Sequence, residues 1–141
     1  MDYITLTTLQ KLKEAGFSYP EYEHFLNSGM LYHYQGDEYL ISGFAGGQFT
    51  RQDVEAARYG IWLPEASQLL SWLTHTGFRV TITNEPEPFY QVQATDTVTG
   101  SVYDGKDLTL ANALAVTIRK ICKSAQRPYI PAPTLRLPIA D

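Results

Sequence analysis

Cysteine is nearly absent. Cys122 stands alone among 141 residues, so the chain cannot close an internal disulfide. One cysteine and three histidines also argue against a thiolate zinc site. No apolar run approaches the ~18–20 residues that a bilayer-crossing helix needs, so no membrane partner is expected. The opening Met1-Asp2-Tyr3-Ile4-Thr5 lacks the basic start and apolar core of a secretory signal. Together these features favour a cytoplasmic protein. Recurrent catalytic and cofactor patterns are missing too: there is no G-x-S-x-G elbow, no Gly-Lys-Ser/Thr phosphate loop and no G-x-G-x-x-G turn. No cofactor, metal or catalytic residue is therefore expected. Charged residues are sparse at 18%, but hydrophobic residues make up 44%, a balance that marks a globular chain with a core of its own.

The charge is unevenly placed. Residues 1–118 hold fourteen acids against six bases, whereas residues 119–141 hold Arg119, Lys120, Lys123, Arg127 and Arg136 against Asp141 alone. An acidic body argues against general binding to a nucleic-acid backbone. The basic end is left to meet an acidic partner, or to complement the dipole of a helix terminus.

In chain order, Thr5 to Ala15 reads as a helix with Leu9 and Leu12 inward and Gly16 as its stop. Thr7 with Gln10 has capping-box spacing, and Thr5 is an equally good start. Residues 18–29 read as a short helix from Pro20 carrying Tyr22, Phe25 and Leu26, with a loop as the alternative. Met30–Tyr34 and Tyr39–Ser42 read as a hairpin around Gln35-Gly36-Asp37-Glu38. Gly43 to Phe49 is the one glycine-rich loop, and Thr50 then caps a helix to Tyr59.

The strongest signal is Trp62-Leu63-Pro64-Glu65-Ala66-Ser67-Gln68-Leu69-Leu70-Ser71-Trp72-Leu73. Ala66, Leu69, Leu70 and Leu73 fall at i, i+3, i+4 and i+7, one stripe of a helix over Pro64–Thr76. On its opposite face Ser71 and His75 are spaced for a hydrogen bond, although a nucleophile needs an orienting group and an oxyanion hole besides. Phe78, Val80 and Ile82 alternate with polar residues as a half-buried strand. Two further strands follow through short turns, so the meander is antiparallel. The spacing brings Asp96, Asp104 and Asp107 toward one sheet edge, where solvated turn acids are the bland reading of a would-be cation site. Leu110–Lys123 holds the 3.6-residue period through Ala111, Leu114, Ala115, Ile118, Ile121 and Cys122. Residues 125–141 carry four of the eight prolines yet hold Tyr129, Ile130, Leu135, Leu137 and Ile139. They read as an extended tail, lying on the domain or docking on a partner.

The Trp62–Leu73 motif, the Gly77-Phe78 that follows it, the meander and Leu110-Ala111-Asn112-Ala113-Leu114-Ala115 occur in a familiar order. That order resembles small bacterial and phage proteins of unknown function, which carry a Pro-Thr-Leu-Ser-Glu-Leu-Ile-Glu-Trp-Leu helix and end in a Thr-Pro-Glu-Glu-Ala-Leu-Ala helix. Ala15-Gly16-Phe17 resembles their opening Ala-Gly-Phe, and the likeness spans about residues 9–122. Leu110 departs from the usual proline, and residues 43–60 and the proline tail stand as additions. The resemblance implies an α+β fold and a mobile-element origin, and no activity.

The expected architecture is α+β: a single domain over 1–124 and a proline-rich tail over 125–141. An antiparallel sheet of four to five strands would carry the two main helices on one face, burying Leu69, Leu70, Leu73, Leu114 and Ile118. The expected function is a non-enzymatic interaction module, binding a protein partner or a second copy. Ten tyrosines, six of them between Tyr3 and Tyr39, suit such surfaces. The residues expected to bind are Tyr32 and Tyr34 on the first strand, Gly46 and Gly47 in the glycine loop, and Arg119, Lys123, Arg127 and Tyr129 at the basic end. The alternatives are a nucleic-acid-associated or antitoxin-like protein using that basic end, and a small hydrolase or nucleotide binder using the glycine loop, His33 or Ser71 with His75.

Overall fold

The structure, a computed structural model, describes residues 2–42, 48–85 and 87–124. The chain is α+β, with the order α1 (Leu6–Glu14), β1 (Leu31–Tyr34), β2 (Asp37–Leu40), α2 (Arg51–Tyr59), β3 (Ile61–Leu63), α3 (Ala66–His75), β4 (Phe78–Thr83), β5 (Tyr90–Asp96), β6 (Val102–Asp107) and α4 (Leu110–Ser124). No helix among the described residues is long and apolar enough to cross a membrane.

The single sheet of four to five strands is corrected to two antiparallel sheets of three strands, ordered β2-β1-β3 and β4-β5-β6. Ile61–Leu63 is more than a lead into α3: it pairs with β1, with Leu31 opposite Leu63 and Tyr32 opposite Trp62. The β1–β2 hairpin turns on Gln35 and Gly36 alone, both at positive φ (54° and 81°). Two successive left-handed residues match the right-handed twist of the flanking strands, which is why so short a turn closes there.

Helix ends are fixed by side chains that take up otherwise unpaired N–H groups. Thr5, rather than Thr7, caps α1 by accepting from the Thr8 N–H at 3.3 Å. Thr50 and Asp53 form a reciprocal capping box on α2, each accepting from the other's backbone N–H at 3.0 Å. At α4 the Thr109 hydroxyl accepts from Asn112 N–H, and Asp2, from the far end of the chain, accepts from Ala111 N–H at 2.8 Å. A carboxylate at that terminus also meets the positive end of the helix dipole.

Leu69, Trp72, Leu73, Leu114 and Ile118 are fully buried, while Leu70 packs against the core partly exposed. Ala111, Ala113, Leu114, Ala115, Thr117 and Ile118 of α4 are all buried; Ala113 and Thr117 lie against Gly105 of the second sheet, in which Val92 and Ala94 are buried too. The expected short helix over 18–29 is corrected to a loop with turns over 20–24. Its polar groups are bonded across the molecule instead: Ser18 C=O accepts from the Trp72 indole at 3.1 Å, and Phe25 C=O from the Tyr32 hydroxyl at 2.6 Å.

Tyr32 makes that bond from full burial, and burial pushes its phenol up to about 12. An unfolded tyrosine ionises near 10, so the unfolded chain releases this proton first. The stability tied to Tyr32 is therefore complete below pH ~10 and declines up to pH ~12, by roughly 2 kcal/mol. Urea titrations across that window should show the decline, and Tyr32→Phe should flatten its share of the slope. An identical slope in the variant would place the titration elsewhere.

Candidate interaction surface

The loop over 18–25 is pinned to α3 by the pair anticipated from i, i+4 spacing. Ser71 Oγ lies 3.1 Å from His75 Nδ1, and the Tyr19 hydroxyl closes a triangle, 3.1 Å from Ser71 Oγ and 3.2 Å from His75 Nδ1. Tyr19 is buried among Tyr22 and Trp62, and burial raises its phenol above the ordinary value. The third member beside the pair is thus a neutral phenol, where a hydrolytic triad places a carboxylate. This arrangement holds a loop on a helix.

The loop then turns at His24, whose φ of +66° is left-handed for a residue with a side chain. His24 Nδ1 sits 3.0 Å from the Ala57 carbonyl of α2, which ties the loop to that helix too. Two clefts meet at this histidine. One, of about 220 Å³, is lined by Lys13, Glu23, His24, Gly60, Ile61 and Trp62. The other, open and about 470 Å³, is lined by His24, Leu26, Val54, Ala57 and Arg58. Apolar side chains stand exposed there: Ile61 (42%) in the first cleft, Val54 in the second, and Phe25 (45%) next to His24.

The strand behind the first cleft is an edge. β3 pairs with β1 on one side and with no strand on the other among the described residues. The N-terminal segment passes the end of this edge, with Ile4 N–H donating to Pro64 C=O and Tyr3 bridging Glu65; Trp62 and Leu63 are buried, and Ile61 is the exposed residue of β3. Trp62 is 4% exposed, and its indole N–H has no hydrogen-bond partner among the described residues. Lys13 and Glu23 close the rim with an ion pair at 3.5 Å.

The residues expected from sequence to bind are dispersed. Tyr32 is a core residue, and Tyr34 is half-buried with its hydroxyl donating to Glu55 at 3.2 Å. Arg119 lies two turns along α4, half-buried in a groove against α1, and Lys123 is exposed near the helix end. Gly46, Gly47, Arg127 and Tyr129 lie outside the described residues, as do most of the glycine loop and the proline tail. Lys120 is engaged by Asp104 at 3.1 Å. The Asp96 carboxylate accepts from Val98 and Thr99 N–H groups, which hold it below the usual carboxylate range, and Asp107 accepts from Leu108 N–H. The three carboxylates thus turn to separate local partners.

His24, Phe25 and Ile61 carry no sequence signal as a group, because the loop over 18–29, α2 and β3 are brought together only by long-range bonds. Phe25 and Ile61 sit in apolar runs that read as core. Compared with known protein families, with curated proteins and with solved structures, the chain matches none.

Proposed function

We propose that this chain is a non-enzymatic protein–protein interaction module, whose contact surface is the two clefts that meet at His24 together with the exposed Ile61 end of the edge strand β3. One observation carries this reading: Val54 and Ile61 line the two clefts that meet at His24 and stand exposed there, and Phe25 stands exposed next to His24 in the loop. Exposed aliphatic and aromatic side chains grouped in one place supply the apolar contact that single scattered ones do not.

The test compares the full chain with Ile61→Asp, a change at an exposed position that should leave the fold within about 0.5 kcal/mol of its original stability. Light scattering over a concentration series and affinity capture should show self-association or one defined partner for the unaltered chain. The variant should lose at least tenfold in that association. A strict monomer that retains no partner overturns the proposal. A complex that survives Ile61→Asp but disappears in a chain ending at Ser124 moves the contact to the tail and overturns the surface assignment.

A further inference from the structure

Alternation along β4 fixes where its backbone groups point. Thr97 N–H donates to Gly77 C=O at 3.1 Å, and that pair continues the β4–β5 register. Successive residues of a strand turn their N–H and C=O groups to opposite sides. Arg79, Thr81 and Thr83 therefore bond β5, and Val80, Ile82 and Asn84 turn their groups the other way. β4 is the edge of its sheet, and no strand pairs with it on that side among the described residues.

This edge is accessible. Thr81, Ile82, Thr83, Asn84 and Glu85 are all exposed. α4 lies over β6 and β5, so Ile82 stays 38% exposed although Val92 opposite it is fully buried. Sheet edges are normally blunted by charge or proline. β6, the other edge, carries Asp104, Lys106 and Asp107. Val80-Thr81-Ile82-Thr83 carries no charge and is β-branched throughout, a composition that suits pairing.

We infer that the β4 edge joins a second copy of this chain, antiparallel and with Ile82 on the twofold axis, so that two three-stranded sheets become one. The strand is self-complementary in that register. Val80 lies opposite the partner's Asn84, and Ile82 opposite the partner's Ile82, so each open N–H meets a C=O. On the other face Thr81 lies opposite the partner's Thr83, and Arg79 opposite the partner's Glu85. Such cross-strand pairs are favourable, and neither Arg79 nor Glu85 has an ion pair among the described residues. The neighbouring registers lose these matches. With Thr83 on the axis, Pro86, which has no N–H, falls opposite Val80. With Thr81 on the axis, Arg79 falls opposite Thr83 and Glu85 opposite Gly77. The dimer lies on the second sheet and does not rest on the clefts at His24. A contact made there adds to the dimer, and Ile61→Asp removes that contact alone.

Sedimentation of the full chain over a wide concentration series should show a reversible monomer–dimer equilibrium. Amide exchange followed by NMR should slow at Val80, Ile82 and Asn84 as the dimer fills. Ile82→Lys sets two ammonium groups at the axis of the dimer, and in the monomer its long side chain reaches solvent. It should weaken the dimer about tenfold or more. Arg79→Glu and Glu85→Arg, both at exposed positions, should each weaken it roughly threefold, and the two together should restore it. A monomer at every concentration would overturn the proposal, and so would slow exchange at those three amides in a strict monomer, since the edge would then be covered by its own chain. A dimer unaffected by Ile82→Lys, one lost in Ile61→Asp, or a charge exchange that restores nothing would each overturn it too.

Discussion

Gly105→Ala should destabilise the fold by roughly 3 kcal/mol or more, a larger loss than one added methyl group usually causes in a core. Gly105 lies in the middle of β6, opposite Val92, on the face that α4 covers. A Cβ built there would meet Thr117 Oγ1, would come within 2.5 Å of the Ala113 carbonyl oxygen and would approach the Thr117 amide at 2.8 Å. Two of these three atoms belong to the helix backbone, and Thr117 Oγ1 is held by its own bond to Ala113 C=O at 2.9 Å. No rotamer change relieves the clash, so α4 must lift from the sheet and loosen Leu114 and Ile118, both fully buried. Gly100→Ala is the natural comparison. Its φ is +80° and no atom lies within 4 Å of its added Cβ, so only backbone strain applies, about 1 kcal/mol. Denaturant unfolding of both variants measures the difference. A Gly105→Ala loss no larger than that of Gly100→Ala would mean that α4 rests on β6 more loosely than the geometry indicates.

The elements that the sequence made legible are those whose signal is local. The 3.6-residue stripes of α3 and α4, the Thr50 cap and the Gly16 stop each lie within one turn of what they specify, and each element appears where that reading put it. The number of sheets was not local information. Whether Ile61–Leu63 is a lead-in or a strand depends on β1, some thirty residues earlier, offering it an edge. Three residues carry too little alternation to announce a strand. The loop over 18–29 was misread for a related reason. Pro20 and Gly29 are good helix punctuation, but the Trp72 indole and the Tyr32 hydroxyl satisfy the Ser18 and Phe25 carbonyls without a helix, and the His24 side chain ties the loop to the Ala57 carbonyl.

The candidate sites divide in the same way. The Ser71–His75 bond follows from i, i+4 spacing, while the Tyr19 hydroxyl that completes the triangle comes from 52 residues away in sequence. Arg119 stood out by charge. Its neighbours Lys11 and Thr8 did not, since only the packing of α1 against α4 places them beside it. Tyrosine abundance suggested an interface, yet Tyr19 and Tyr32 are spent on the core, and the exposed apolar group is made largely of Phe25, Val54 and Ile61.

Trp72→Ala should cost about 4 kcal/mol, a large part of the 5–15 kcal/mol that holds a domain of this size folded. Trp72 heads the largest fully buried side chains, lies 5.5 Å from the Phe17 ring and donates its indole N–H to Ser18 C=O at 3.1 Å. Removing the ring empties the space between α3 and the loop and leaves a buried carbonyl unpaired. Trp72→Phe separates the two effects. It keeps most of the apolar contact and loses the donor, so it should cost about 1–3 kcal/mol for the orphaned carbonyl and the smaller ring. Ser18 precedes Tyr19, and Tyr19 holds the loop on Ser71 and His75. Even the phenylalanine variant should therefore speed amide hydrogen exchange over residues 18–25 more than in α4, because the loop loses a tether that α4 does not share. That loop presents His24 and Phe25 to the surface, so Trp72→Phe should also weaken association at the β3 edge while the chain remains folded. Unchanged exchange over 18–25 would mean that the Tyr19 triangle and the Tyr32 bond suffice to hold the surface, and that Trp72 contributes bulk alone.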